Sequence, residues 1–357
     1  MSSTLGEKIK LSIFGESHGA AIGCVIDGLP AGVVLDFDKI QKEMDKRAPG
    51  RDKTSTARKE PDKPQILSGV LNGKTTGAPL AMIIENTNTR SGDYDSVRFV
   101  PRPGHSDYPA CVKYGGANDI RGGGHFSGRL TAPLVFAGAI AKQILAEKGV
   151  TVGAHILQIG AVRDTAFDKN NIDAEKLNEL SSDFFATISN EKEIEMRTAI
   201  ESARLQGDSV GGVIECAAVG LPVGIGSNMF STVEGRLSYA LFGIPAVKGV
   251  QFGAGFDFAQ MRGSEANDPY EIKNGAVHLK SNNNGGVLGG ITDGAPLVFS
   301  VVVKPTASIA SAQDSINLKT MENEKLVVNG RHDPCIVPRA VAVVEAVCAF
   351  TLLDMMM

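Results

Sequence analysis

The sequence predicts an α+β protein, a sandwich in which strands cover buried helices. Three observations predict it. Eight β-like runs rich in branched residues are spread over the whole chain. Two helical segments are apolar nearly all round and have no face to give to solvent. Strands and helices do not alternate one for one, as a doubly wound parallel sheet requires.

In chain order, the first four strand-like runs are IKLSIFG (9–15), AIGCVIDGL (21–29), PQILSGVL (64–71) and PLAMIIEN (79–86). Four more follow: VGAHILQIGAV (152–162), SVGGVIECAAV (209–219), AVKGVQFGAG (246–255) and PLVFSVVVKP (296–305). Residues 37–47 place Ile40 and Met44 on one helical face. Thr131 and Pro133 open a helix that runs to about Lys148 and stops at Gly149, the start and stop chemistry of helices. Asn190 caps EKEIEMRTAIESARLQ, and Pro338 opens RAVAVVEAVCAFTLLD. The stretches 133–147 and 338–353 are the two all-apolar helices, so they belong between layers. No strong short repeat stands out. The glycine-rich loops RGGGHFSG (121–128) and NNGGVLGG (283–290) echo each other and hint at a duplicated unit.

The chain has 357 residues, 41 of them glycine, and many of these stand beside charged residues, where a missing side chain lets backbone approach a ligand. There is no tryptophan, aromatics make up 6%, and the net charge is −4, which together argue against a nucleic-acid surface. The five cysteines are scattered and form no CxxC pair, so neither a disulfide framework nor a zinc site is expected. MSSTLGEKIK lacks the apolar core of a signal peptide, and LTAPLVFAGAIA (130–141) is too short to span a bilayer; a soluble, cytoplasmic protein is expected.

Three of the six histidines sit in polar clusters bounded by glycine or proline: Glu16-Ser17-His18-Gly19, Arg102-Pro103-Gly104-His105-Ser106-Asp107 and Arg331-His332-Asp333-Pro334. Three ionisable neighbours such as Arg331, His332 and Asp333 cannot share one helix or strand face, so they mark a rigid turn. Histidine titrates near neutrality and suits proton transfer. His125 lies in the glycine loop, whereas His155 and His278 fall in strand-like alternation and read as structural. There is no HExxH, no nucleophile elbow and no GxGxxG between a strand and a helix. GVLNGKTTG (69–77) has three residues between Gly69 and Gly73 where a P-loop needs four, so it reads as a turn between strands.

Arginines stand in the same glycine-rich motifs: Arg47 and Arg51 around Ala48-Pro49-Gly50, then Arg102, Arg121, Arg129, Arg331 and Arg339. The guanidinium fork binds carboxylate and phosphate, so a small, multiply anionic ligand is implied. Residues 121–129, just before a helix, offer backbone N–H groups to an anion, and Lys304-Pro305-Thr306-Ala307-Ser308 ends a strand with a lysine and two hydroxyls. From residues alone this is an enzyme using histidine acid–base chemistry on a small polyanion, with room for a phosphate-bearing cofactor.

Read in order, these clusters resemble the chorismate synthase family. FGESHG (14–19), RPGHSDY (102–108) with KYGG (113–116), GIPAVKGVQFG (243–253), NNNGGVLGGITDG (282–294), KPTASI (304–309) and GRHDPCIVPRAV (330–341) look like its signatures. The resemblance runs from about residue 8 to 354, so one domain over 1–357 is expected. It implies a layered β-α-β sandwich of antiparallel strands around buried helices, with an internal pseudo-two-fold repeat. It implies a 1,4-anti elimination of phosphate from 5-enolpyruvylshikimate 3-phosphate, a carbon–oxygen lyase reaction that needs reduced FMN without net redox change. His105 resembles the general acid for the departing phosphate, His18 the group that manages protonation of the reduced flavin, and Asp333 the carboxylate near flavin N5. Arg47, Lys53, Arg102, Arg129 and Arg339 would bind substrate. His125, Phe126, Ser127, Gly128, Ala246, Lys248 and Gly290 would line the flavin site, with Lys304, Pro305, Thr306, Ala307, Ser308 and Arg331. The sequence departs from the pattern at His125-Phe126, where relatives carry arginine and serine, and at Lys53, where they often carry arginine. The resemblance also implies a homotetramer. Without an added domain, reduced FMN is expected from a separate flavin reductase, with NADPH as the indirect reductant. Two other classes remain open at this point: a flavin-dependent oxidoreductase acting on a small polyanion, and an anion-binding module without turnover.

Overall fold

The computed structural model describes residues 3–50, 52, 54, 62–87, 99–328 and 332–357. Every strand-like run becomes a strand. The first half holds β1 (Lys10–Gly15), β2 (Ala21–Asp27), α1 (Phe37–Arg47), β3 (Gln65–Ser68), β4 (Leu80–Glu85), α2 (Asp107–Tyr114) and α3 (Thr131–Glu147). In the second come β5 (Thr151–Ile159), α4 (Ala174–Ser182), α5 (Asn190–Leu205), β6 (Gly212–Val219), α6 (Val233–Leu241), β7 (Val247–Phe252), β8 (Leu297–Val303) and α7 (Val337–Met356).

All pairings in the two main sheets are antiparallel. One sheet has the order β1-β2-β4-β3 with Thr4–Leu5 outside β1; the other has β5-β6-β8-β7 with Val162–Arg163 outside β5. The orders match once β1–β4 are laid on β5–β8, and each half adds a helix between its second and third strands and a long helix after its fourth. The fold is thus the α+β sandwich with an internal repeat.

The repeat also has a sequence trace, and it is not the glycine-loop echo. GVLNGKTTGAPL (69–80) and GVLGGITDGAPL (286–297) agree at nine of twelve positions, and both form a small hairpin leading into the fourth strand. Thr75 Oγ1 donates to Pro30 O at 2.6 Å and accepts Val33 N at 2.9 Å; Thr292 Oγ1 does the same with Pro222 O and Ile225 N at 2.6 and 2.9 Å. RGGGHFSG, by contrast, precedes α3, while NNGGVLGG lies between β7 and β8, so those two loops are not counterparts.

The long helices α3 and α7 lie back to back between the sheets, with α1 and α6 beside them. They cross at Gly138, where a β-carbon would fall 2.3 Å from the Ala346 Cα. Most of the apolar length of α3 is buried here against protein. Glu345 of α7 is fully buried, yet it accepts Lys142 Nζ (2.8 Å), Ala154 N (2.9 Å) and Ser181 Oγ (2.8 Å), with Lys46 at 3.4 Å. Burial would raise its pKa; Lys142 and Lys46 reverse this and bring it down to about 2. A charge so satisfied pins α1, α3, α4, β5 and α7 together.

Candidate active site

The connections that lead into the two long helices meet at one end of the sandwich. Residues 99–130 precede α3 and residues 304–336 precede α7, so both helix N-termini open on the same space, a cavity of about 1210 Å³. Thr131 and Leu134 of α3 and Arg339, Ala340 and Val343 of α7 line it. The positive ends of two helix dipoles therefore face it. Among the described residues, six cationic side chains stand on its wall: Arg47, Arg102, Arg129, Lys248, Lys304 and Arg339. Against them are Asp333 on the wall and Asp62 and Asp107 just behind it. The cavity is electropositive and suits a multiply charged anion.

Two buried arginines share one carboxylate. Arg47, at the C-terminal end of α1, and Arg129 both bond Asp62, whose side chain is fully buried. Arg47 also donates to Thr131 Oγ1 (3.0 Å) and Gly128 O (3.1 Å), and Arg129 Nε donates to Asn86 Oδ1 (3.1 Å). Burial, helped by Arg339 and Arg129, draws Arg47 down to about 10 against the pull of Asp62. Burial works to raise Asp62, but the two guanidinium groups hold it below the usual carboxylate value. The charge run at 42–59 therefore does not end wholly in solvent, because Arg47 is only 3% exposed.

His105 rests on the turn before α2. Its Nδ1 lies 2.6 Å from Asp107 Oδ1, and Asp107 in turn accepts Arg102 Nε (2.7 Å) and Nη2 (2.8 Å). Burial opposes it, yet the bonds from Arg102 and His105 keep Asp107 well below the ordinary carboxylate range. Arg102 Nη1 reaches Ser308 Oγ at 3.1 Å, and Lys304 Nζ donates to Gly104 O, so Arg102-Pro103-Gly104-His105 and Lys304-Pro305-Thr306-Ala307-Ser308 are stitched side by side.

The glycine loop 122–124 runs with positive φ throughout and lies against both histidines. A β-carbon on Gly122 would fall 2.4 Å from His18 Nδ1, and one on Gly123 would fall 3.3 Å from His105 Nε2. Only glycine fits there. Opposite, Asp333 pairs with Arg339, whose Nε donates to Arg47 O at 2.9 Å. His332 also lines the cavity; burial first, then Arg102, lowers its pKa, so it is neutral at neutral pH.

The chorismate synthase family model matches residues 9–357. A chorismate synthase of Korarchaeum cryptofilum (strain OPF8) is 46% identical over 352 residues, 99% of this chain and 96% of that protein. One from Pyrococcus abyssi (strain GE5 / Orsay) is 47% identical, covering 98% of this chain and 96% of the relative. This chain belongs to the chorismate synthase family. A crystal structure of a chorismate synthase superposes with a TM-score of 0.76 at 30% identity, over 98% of this chain and 92% of that one.

Most residues marked by the chorismate synthase signatures come together. His105, Asp333, Arg47, Arg102, Arg129 and Arg339 line the cavity, as do Phe126, Ser127, Gly128, Ala246, Lys248 and the run from Lys304 to Ser308. His18 is buried behind Gly122 rather than on the wall, and its neighbour Ser17 takes the wall position. Arg102 is tied inward, to Asp107 and Ser308. His125 lines the cavity, but its ring bonds protein on both nitrogens, Gly15 O at 2.8 Å and Ser3 Oγ at 3.0 Å. Gly290 lies off the cavity, at φ +91 in the hairpin turn equivalent to Gly73, with its carbonyl accepting Val233 N. Lys53 and Arg331 lie outside the described residues. Sequence reasoning missed Asp62 and Asn86, which carry no motif signal, and Asp107, which sat inside the quoted RPGHSD run.

Proposed function

We propose that this chain eliminates phosphate from 5-enolpyruvylshikimate 3-phosphate in the 1,4-anti sense to give chorismate, with reduced FMN as cofactor and no net redox change. The observation that carries this reading is the convergence of His105, Asp333 and the Arg47, Arg129 and Arg339 guanidinium groups on one electropositive cavity. The donor set also fits a second, phosphate-bearing group. The cavity exceeds the usual size for one small ligand, and two buried polar atoms on its wall, Thr306 Oγ1 and His332 Nε2, have no partner among the described residues. Ala246 stands in the left-handed region at φ +73, a strained position of the kind found at ligand sites, and Lys304 N bonds its carbonyl.

Residues 246–248 and 304–308 would hold the FMN, beside the Ser127-Gly128 turn. When bound, the reduced flavin would supply transient electron density for breaking the carbon–oxygen bond. Arg47, Arg129 and Arg339 would hold the substrate's phosphate and carboxylates in a low-dielectric site, where fixed charge acts most strongly. His105 Nε2 would give its proton to the departing phosphate. Asp333 would accept a proton near the flavin, with its carboxylate set by Arg339. His18, wedged behind Gly122, would steady the protonation of the cofactor. The homotetramer is carried over from the family resemblance alone. A cytoplasmic setting, with a separate NADPH-dependent reductase supplying reduced FMN, completes the reading.

An anaerobic assay with reduced FMN tests it, following phosphate release and diene absorbance together. Equal, simultaneous yields with only catalytic flavin are expected. Consumption of reductant in proportion to product would replace the elimination by an oxidoreduction.

A further inference from the structure

We propose that Asp107 is a positioning residue that fixes His105 in the tautomer carrying its proton on Nδ1, leaving Nε2 to face the cavity. The inference rests on the acid role given to His105 above. Three groups compete for Nδ1: Asp107 Oδ1 at 2.6 Å, Arg102 Nη2 at 3.2 Å and Ser106 Oγ at 3.5 Å. A guanidinium can only donate and would need a bare nitrogen, whereas a carboxylate can only accept and needs N–H. The carboxylate contact is the shorter and is charge-assisted. Asp107 stays ionised because Arg102 grips both its oxygens, through Nε at 2.7 Å and Nη2 at 2.8 Å, while its Oδ2 also accepts Arg102 N at 3.0 Å. The Nδ1 proton therefore points at Asp107.

The rest of the ring follows. Nε2 looks toward Gly123, where the lack of a β-carbon leaves it room. When the Nε2 proton passes to the leaving phosphate oxygen, the Nδ1–H stays on Asp107 and the neutral ring keeps its direction. Donation starts from the doubly protonated ring, with one N–H on Asp107 and the departing proton on Nε2. Through Arg102, the same carboxylate reaches Ser308, so one residue orients the acid and ties it to the opposite wall.

Long-range proton–nitrogen NMR on histidine-labelled protein, recorded where the rings are neutral, reads the tautomer directly. The His105 signals are identified by their loss in His105→Gln. The wild type should show the Nδ1–H pattern. Asp107→Asn should shift His105 toward Nε2–H and lower kcat at least tenfold with KM changed less than threefold; Asp107→Glu should restore the pattern and part of the rate. A wild-type Nε2–H tautomer overturns the proposal, as does an Asp107→Asn protein that keeps both tautomer and rate. The wild-type spectrum decides even if the variant does not fold. Because it needs neither substrate nor flavin, it also stands apart from any failure of the elimination assay.

Discussion

The two halves of this molecule share a frame and differ in what they bring to the cavity. At the end of α1 the first half presents Arg47 and then Pro49; at the matching place after α6 the second presents Ile244, Pro245 and Ala246. Before α3 the first half brings His105 and Arg129; before α7 the second brings Ala307 and Asp333, and from the first turn of α7 Arg339. The first half's charges are buried and locked in pairs, while much of the second half's wall is small, apolar or half-exposed. On the function proposed above, a duplicated scaffold would be divided between gripping an anion and shelving a flat ring system. The site needs both.

The sharpest way to break the comparison is to remove His105 from the first half's wall. His105→Ala should keep FMN and substrate bound and lower turnover by about 10²–10⁴-fold, the usual worth of a placed general acid. Single-turnover phosphate release measures it; a rate within a few-fold of wild type would take His105 out of the chemistry.

Next in size is the carboxylate that holds the first half's arginines. Asp62→Asn keeps the shape and tolerates the φ of +44 at this position, yet leaves two buried guanidinium groups without their counter-ion. A loss of about 3 kcal/mol in denaturant unfolding is expected. The pH dependence has a fixed sign. Asp62 titrates lower folded than unfolded, so its contribution is complete above about pH 4 and fades as pH falls toward the lowered folded value. The gap between wild type and variant should therefore close in acid.

The frame itself can be strained where the halves cross. Gly138→Val puts side chain where Ala346 backbone already lies, and even the first carbon would stand 2.3 Å from its Cα. Separation of α3 from α7 should lower stability by about 1–3 kcal/mol. Thermal unfolding with and without FMN would show whether both walls shift together.

What was legible in the sequence follows from how local each signal is. The strands and the two long helices announced themselves through branched runs, Thr131 and Pro133 at a start, and Gly149 at a stop. Even the slip at α5 is local: Ser189, not Asn190, caps it, accepting Lys192 N at 3.4 Å, and both residue types cap well. Helices α2, α4 and α6, of eight or nine residues, were too short for periodicity to declare them. In the site, histidines on glycine- and proline-bounded turns were visible because polar side chains there have no structural reason to cluster. Asp62 was not, since its role exists only where Arg47 and Arg129 meet, 15 and 67 residues away. His125 was visible but its use was not: a glycine-loop histidine reads the same whether it faces a ligand or bonds Gly15 and Ser3.

The smallest expected effect sharpens the comparison most on the second half. Thr306 Oγ1 is buried on the shelf with no partner among the described residues, a state that costs the free protein a desolvated hydroxyl. If the shelf holds the cofactor, that oxygen gains its bond only when FMN is seated. Thr306→Val keeps the shape and removes the hydroxyl, so the unliganded protein should be as stable as wild type or slightly more so. Its FMN affinity should drop by about 0.5–1.5 kcal/mol, a few-fold to about tenfold in Kd. The same substitution in a cavity where Thr306 faced nothing would leave the affinity unmoved, and fluorescence titration separates the two. A loss in binding without a loss in stability is the signature of a group placed for a ligand rather than for the fold, and it would assign the second half's wall its own task, independent of the histidine and arginines across the cavity.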